Sequence, residues 1–178
     1  MGILQGCRKN DWPLERYHSA QHPYHASLLS TLSGFSVHAT SWVTDGCLLP
    51  TPILSLQDIA KIFSELASSS EPTSRSVREL MMKNPEWIGG PHCSDTKLMQ
   101  ANPGALIAKE GADGLYAVAI LPTPKYPKGL GIIVKIYAGF LPAHYSLALS
   151  PILERFELKS IGYVPRGQEV RYFYSLAP

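Results

Sequence analysis

Apolar positions along the chain fall into three regimes. Over residues 1–50, rich in His, Ser and Pro, they keep no sustained period, and one short helix from Ala26 to about Leu32 is the element their spacing supports. From residue 55 the spacing turns helical. Leu56, Ile59, Ala60, Phe63, Leu66 and Ala67 recur at three and four residues, and Ser55 with Asp58 three positions on is a capping-box pattern. This predicts a helix over 55–68, broken by Ser68-Ser69-Ser70-Glu71-Pro72. Ser76 with Glu79 repeats the capping pattern ahead of Leu80 and Met81, and Asn84-Pro85 stops that second helix. A third is expected to open at Ser94 or Asp95, carry Leu98 and Met99, and end at Pro103-Gly104.

From Ala105 the pattern changes to strand. Ala105 to Lys109 and Leu115 to Leu121 flank Glu110-Gly111-Ala112-Asp113-Gly114, whose glycines permit a tight reversal, so an antiparallel hairpin is predicted. A third strand, Leu130 to Tyr137, follows a proline-rich link. All three are continuously apolar rather than alternating, which predicts a sheet covered on both faces. Leu141 to Phe156 reads as a helix that Pro151 kinks or splits, and Val170, Tyr172 and Tyr174, alternating with Arg171, Phe173 and Ser175, read as a last strand. Helices, then a strand meander, then a helix predict a layered α/β (α+β) domain with an antiparallel sheet.

Length and composition narrow the class. The chain has 178 residues, 45% of them hydrophobic, with 15 prolines and 14 glycines, which excludes a disordered tail or a coiled coil and suits one domain over 1–178. Its formal charge of +2 comes from interleaved signs. That argues against nucleic acid or an anionic membrane as the main partner. The longest apolar run, Leu115 to Leu121, is too short to span a bilayer. Cys7, Cys47 and Cys93 form no CxxC pair, so a reducing, cytoplasmic setting is expected.

Four groups carry candidate chemistry. Asp45-Gly46-Cys47 reads first as a turn with a buried cysteine; its chemical alternative is a loop that binds a substrate ammonium through Asp45 and a metal through Cys47. Lys109, at the end of an apolar strand, reads either as a solvent-reaching lysine or as a desolvated base for a hydroxyl nucleophile. Ser94-x-x-Lys97 has the spacing of Ser/Lys acyl-transfer enzymes, yet a helix cap is the simpler reading of Ser94. His18, His22 and His25 could set three imidazoles on one helical face as metal ligands, which Pro23 interrupts, and His92-Cys93 is a possible ligand pair without a visible partner; all of these read as surface or structural residues.

Several segments in order share one pattern: Trp12-Pro13 leading to Tyr17 and His22-Pro23, Asp45-Gly46-Cys47 with Pro50-Thr51, the Leu56–Ala67 helix, and Met82-x-x-Pro85 leading to Gly90. The pattern continues through Asp95-Thr96-Lys97-Leu98-Met99, Ala108-Lys109-Glu110-Gly111-Ala112-Asp113-Gly114 and Val134-Lys135-Ile136. Together they resemble the Rhizobium-type L-asparaginase family, also called bacterial L-asparaginase II or the thermolabile type, over roughly residues 1 to 155. The resemblance implies a fold similar to serine β-lactamases and penicillin-binding proteins, usually a homodimer, that hydrolyses L-asparagine to L-aspartate and ammonia. Its chemistry uses serine hydroxyls activated by lysines, with a zinc ion nearby.

Carried over by position, Lys109 matches a lysine that pairs with a catalytic serine, Cys47 a zinc-binding cysteine, and Asp45 the aspartate that receives the substrate's α-ammonium. His92 or Cys93 stands where the family usually has arginine, Asp113 where it has glutamate, and Tyr137 or Ala138 where it has aspartate. The family's Ser-x-x-Lys tandem and Cys-Ser-Gly-Lys-His motif lie upstream of Trp12-Pro13. The chain is therefore expected to be a carboxyl-terminal portion, truncated at the N-terminus, with an incomplete zinc ligand set and little turnover of its own. The alternative is a non-catalytic amino-acid-binding or interaction module.

Overall fold

The computed structural model describes residues 41–46, 50–137 and 142–161, with five single positions between 25 and 39. It groups the chain into two compact units, Met1–Asp58 and Ile59–Pro178.

In the first unit His25, Ser27, Leu28 and Ser30 are helical, where a short helix is expected. The loop-like region beyond them holds an unpredicted antiparallel ribbon. Strand β1 (Ser41–Thr44) pairs with β2 (Pro50–Ile53) in the register Ser41↔Ile53 to Thr44↔Pro50. Trp42, Val43 and Thr44 favour extended backbone, and Asp45-Gly46 is a hairpin dipeptide. Pro50 and Pro52 hide the second strand from a pattern reading, because proline is confined to strands with an unpaired edge.

Helix α1 (Leu56–Ser68) begins where its cap predicts: Ser55 Oγ accepts the Asp58 N–H at 3.0 Å and donates to Asp58 Oδ2 at 2.7 Å. Helix α2 (Pro72–Lys83) starts four residues before the Ser76 signal. Glu71 is its N-cap, accepting the Ser74 N–H at 2.8 Å, and Pro72 takes the first turn, where its missing N–H costs nothing. The N–H groups of Ser74 and Thr73 hold the Glu71 carboxyl below the usual range. Arg78 then binds the Leu66 and Ser69 carbonyls at 2.7 and 3.1 Å, fastening α2 to the end of α1.

A short helix absent from the sequence reading, α3 (Glu86–Gly89), precedes α4 (Ser94–Ala101). Cys93 is the α4 N-cap residue and makes no side-chain cap bond, so Ser94, expected as the cap, lies buried inside the first turn.

Strands β3 (Leu106–Glu110), β4 (Leu115–Ile120) and β5 (Leu130–Lys135) form the predicted antiparallel meander. Asp113 and Gly114, at φ 53° and 74°, turn the first hairpin, both in the left-handed conformation that a primed turn needs. Leu106 to Ala108 and Tyr116 to Ile120 are buried without a break, the signature of strands covered on both faces. Helix α4 packs on β3, and α1 lies so close to β5 that a Cβ on Gly131 would collide with the Ala60 carbonyl.

Helix α5 (Pro142–Arg155) runs through Pro151, which neither ends nor divides it; Ser150 Oγ donates to the Ser146 carbonyl at 2.6 Å in the preceding turn. Tyr145, Leu149 and Leu153 of α5 join Leu98, Ile107 and Val118 in the core. Buried Asn102 accepts the Lys159 N–H at 2.7 Å and donates to the Leu98 and Lys159 carbonyls at 3.0 and 2.8 Å. The last strand predicted near residues 170–174 lies outside the described residues. Among the described residues no helix is long and apolar enough to cross a membrane. The architecture is thus mixed α and β with small antiparallel sheets, as the pattern predicts.

Candidate functional site

Helix α4 and the end of β3 meet around one carboxylate. Asp95, in the first turn of α4, has 0% of its surface in water. Its Oδ1 accepts the Thr96 N–H at 2.8 Å and its Oδ2 accepts the Glu110 N–H at 3.1 Å, so a single side chain joins a helix start to a strand end. A buried carboxylate is tolerable only when so satisfied. The Lys109 ammonium stands 3.6 Å from Asp95 Oδ2.

The turn between α3 and α4 makes room for this carboxylate. A Cβ on Gly89 would overlap the Asp95 carboxyl group, whose carbon would be only 2.8 Å away. Thr96 Oγ1 donates to the Pro85 carbonyl at 3.0 Å, and Cys93 Sγ donates to the Gly89 carbonyl at 2.7 Å, drawing both ends of that turn together.

Glu110 and Tyr116 are directly opposed across the β3–β4 ladder, which puts their side chains on one face. Burial, and then the charge of Asp95, raises the Glu110 carboxyl above the usual glutamate range. Tyr116 is 1% exposed, and its hydroxyl has no hydrogen-bond partner. Burial first, then the negative charges of Asp95 and Glu110, push the phenol well above the usual tyrosine range. Beside it, Tyr145 stacks at 4.5 Å between ring centres and donates to the Leu115 carbonyl at 3.2 Å; burial and Glu110 raise its phenol too.

Of the residues singled out by sequence, Lys109 lies in this cluster. Its side chain is 46% exposed, and it binds the Glu110 carbonyl as well as Asp95. No serine hydroxyl among the described residues hydrogen-bonds to it. Asp45 belongs to the other unit, where its Oδ2 accepts from Thr51 Oγ1 at 3.1 Å across the base of the β1–β2 ribbon. Cys47 lies outside the described residues. His25 is buried, with its ring edge-on to Trp42 at 5.4 Å, in keeping with a structural role; His18 and His22 lie outside the described residues. Ser94 is buried while Lys97 is exposed.

Asp95, Glu110 and Tyr116 escape the sequence reading. The first sits in a helix turn and the second ends a strand, and only tertiary folding brings them to Cys93. Tyr116 is indistinguishable by pattern from its apolar strand neighbours.

The family model described as L-asparaginase II matches residues 1–169 of the chain. No curated protein matches it significantly.

Proposed function

The chain belongs to the L-asparaginase II family, and from that premise we propose that its reaction is the hydrolysis of L-asparagine to L-aspartate and ammonia. The observation that carries this reading is the family match over residues 1–169; the role given to Lys109 rests on the resemblance of Ala108-Lys109-Glu110-Gly111-Ala112-Asp113-Gly114 to the family's motif. In this reading a serine hydroxyl attacks the side-chain amide, ammonia leaves, and water releases aspartate from the ester. Lys109 takes the hydroxyl proton, and Asp45 receives the substrate's α-ammonium.

The surroundings of Lys109 suit a positioned amine. Asp95 is immobilised by burial and two backbone N–H groups and fixes Nζ at the strand end, so in this reading Lys109 leaves its ion pair with Asp95 and gives a proton to solvent before it takes one from the serine hydroxyl. A layered fold like that of serine β-lactamases, a homodimer and a cytoplasmic setting belong to the same proposal. So does a zinc ion held in part by Cys47, which would supply one of the four ligands such a site takes.

Ammonia release from L-asparagine tests the reading. Release that Lys109→Ala lowers on the order of 100-fold, as for loss of a proton-transfer group, supports it, whereas no release from the chain supports the non-catalytic alternative. Release that Lys109→Ala leaves unchanged would contradict the role given to Lys109.

A second reading, a non-catalytic amino-acid-binding module, is favoured by one observation: Lys109 is engaged by Asp95 and a backbone carbonyl rather than by a serine. Calorimetry with asparagine and aspartate separates the two. Binding heat that Asp45→Ala abolishes, without ammonia release, supports the module, and no heat with either amino acid excludes it.

A further inference from the structure

Three side chains able to ligate a metal, two from the start of α4 and one from the end of β3, converge. The Cys93 sulfur and one oxygen each of Asp95 and Glu110 lie within 4.8 Å of one another. Asp95 is fully buried and the other two are half-buried, which separates the group from exposed acidic clusters that merely face water.

An independent observation points to a missing ligand. The Tyr116 hydroxyl is buried without a partner, on the face of the sheet that carries Glu110, and close enough to Asp95 and Glu110 to feel their charges while bonded to neither. Buried hydroxyls in native proteins are nearly always satisfied, by protein atoms or by something bound. A water held on a cation among these carboxylates would give this hydroxyl its partner.

We propose that Cys93, Asp95 and Glu110 form a site for a divalent cation of the zinc class, with a water as fourth ligand hydrogen-bonded by Tyr116. The donor set selects the metal: a thiolate beside two carboxylates favours zinc over magnesium or calcium, which prefer oxygen alone. Charge balances as well. One thiolate and two carboxylates offset the dication and the Lys109 ammonium beside Asp95. Binding releases the thiol proton to solvent and replaces the Cys93 bond to the Gly89 carbonyl.

Tetrahedral zinc bonds of about 2.0–2.3 Å put donors about 3.3–3.6 Å apart, so donors that lie up to 4.8 Å apart draw together on loading. Cys93 and Glu110, at the half-buried rim, supply that movement. Asp95 stays fixed by the N–H groups of Thr96 and Glu110, which orient it as outer partners orient metal ligands. Cys47 takes no part in this site.

The test uses the full chain with Cys7→Ser and Cys47→Ser, leaving Cys93 as its one thiol. Titration with cobalt(II) is expected to produce a thiolate-to-cobalt charge-transfer band at one metal per chain, displaced by zinc. In that background Glu110→Gln should weaken cobalt binding by at least 10-fold, and Tyr116→Phe about 10-fold, as for loss of an outer hydrogen bond. In the otherwise unaltered chain, the band that Cys47→Ser retains should be lost on adding Cys93→Ser, which keeps the test decisive where the double substitution disturbs folding. No band in the folded protein, or a band indifferent to both Cys93→Ser and Glu110→Gln, overturns the site. Neither arm depends on turnover, so failure here is separable from failure of the asparaginase reading.

Discussion

Gly89 and Asp95 occupy one volume: the space a side chain on Gly89 would need is filled by the Asp95 carboxyl group. The carboxylate cannot retreat cheaply, because it is buried and held by two backbone N–H groups. Gly89→Ala is therefore expected to destabilise the protein by about 2 kcal/mol, in the range of overpacking substitutions. Urea unfolding measures this, and a double-mutant cycle with Asp95→Ala should recover part of the loss. Strict additivity would show that the two residues do not compete for space.

Asp95 itself carries more. Removing its carboxylate leaves the Thr96 and Glu110 N–H groups without acceptors inside the protein, and Asp95→Ala is expected to cost about 3 kcal/mol. Asp95→Asn keeps one acceptor oxygen but turns an amide donor toward a backbone donor, so it should recover less than half of that. The expected order in chemical denaturation is wild type, then Asn, then Ala. An Asn variant as stable as wild type would mean that the second bond contributes nothing.

Tyr116→Phe is expected to act in the opposite direction. With chelator present, replacing an unpartnered buried hydroxyl by hydrogen removes a desolvation penalty while keeping the ring stacked on Tyr145, a gain of about 1 kcal/mol. A raised melting temperature checks it. A lowered one would show that the hydroxyl has a partner even in the metal-free protein.

The raised Glu110 carboxyl sets a pH dependence whose sign follows from proton counting. In the unfolded chain this group ionises at the ordinary glutamate value, so between that value and the raised one the folded state holds more protons, and stability falls as pH rises. The contribution is whole below the ordinary value and is lost as pH climbs through the raised one. In metal-free protein Glu110→Gln should flatten this slope above the ordinary glutamate value, and the variant should gain on wild type as pH rises. Melting temperatures recorded across that range decide the point. Asp113, lowered by its hydrogen bond and ion pair with Lys135 at 2.8 Å, acts oppositely, losing its contribution as pH falls through its depressed value.

What the sequence discloses here is what short stretches of chain decide. The α1 cap, the β3–β4 hairpin and the apolar strands are each specified within a few residues, and each forms as the pattern predicts. The same local logic misplaces the start of α2, because Ser76 and Glu79 imitate a cap inside a helix that Glu71 and Pro72 have already begun. It misses β2, whose prolines argue against a strand. For the site, local sequence marks Lys109 as a candidate but leaves it between a solvent-reaching lysine and a base, since many strand-ending lysines look alike. Asp95, Cys93, Glu110 and Tyr116 acquire meaning only when α4 lands on β3. No spacing rule in a single sequence encodes that landing.

The three bonds of Asn102 to Leu98 and Lys159 bear on the order in which the molecule assembles. The sheet is a meander of adjacent hairpins that close short loops, whereas the bonds to Lys159 join positions 57 residues apart and carry a larger closure entropy. The meander is thus placed early and the seating of the segment after α5 late. Asn102→Ala should accelerate unfolding while leaving the folding rate nearly unchanged, in stopped-flow chevrons. Asn102 then acts as a latch on the finished molecule, governing how long it stays folded rather than how fast it folds.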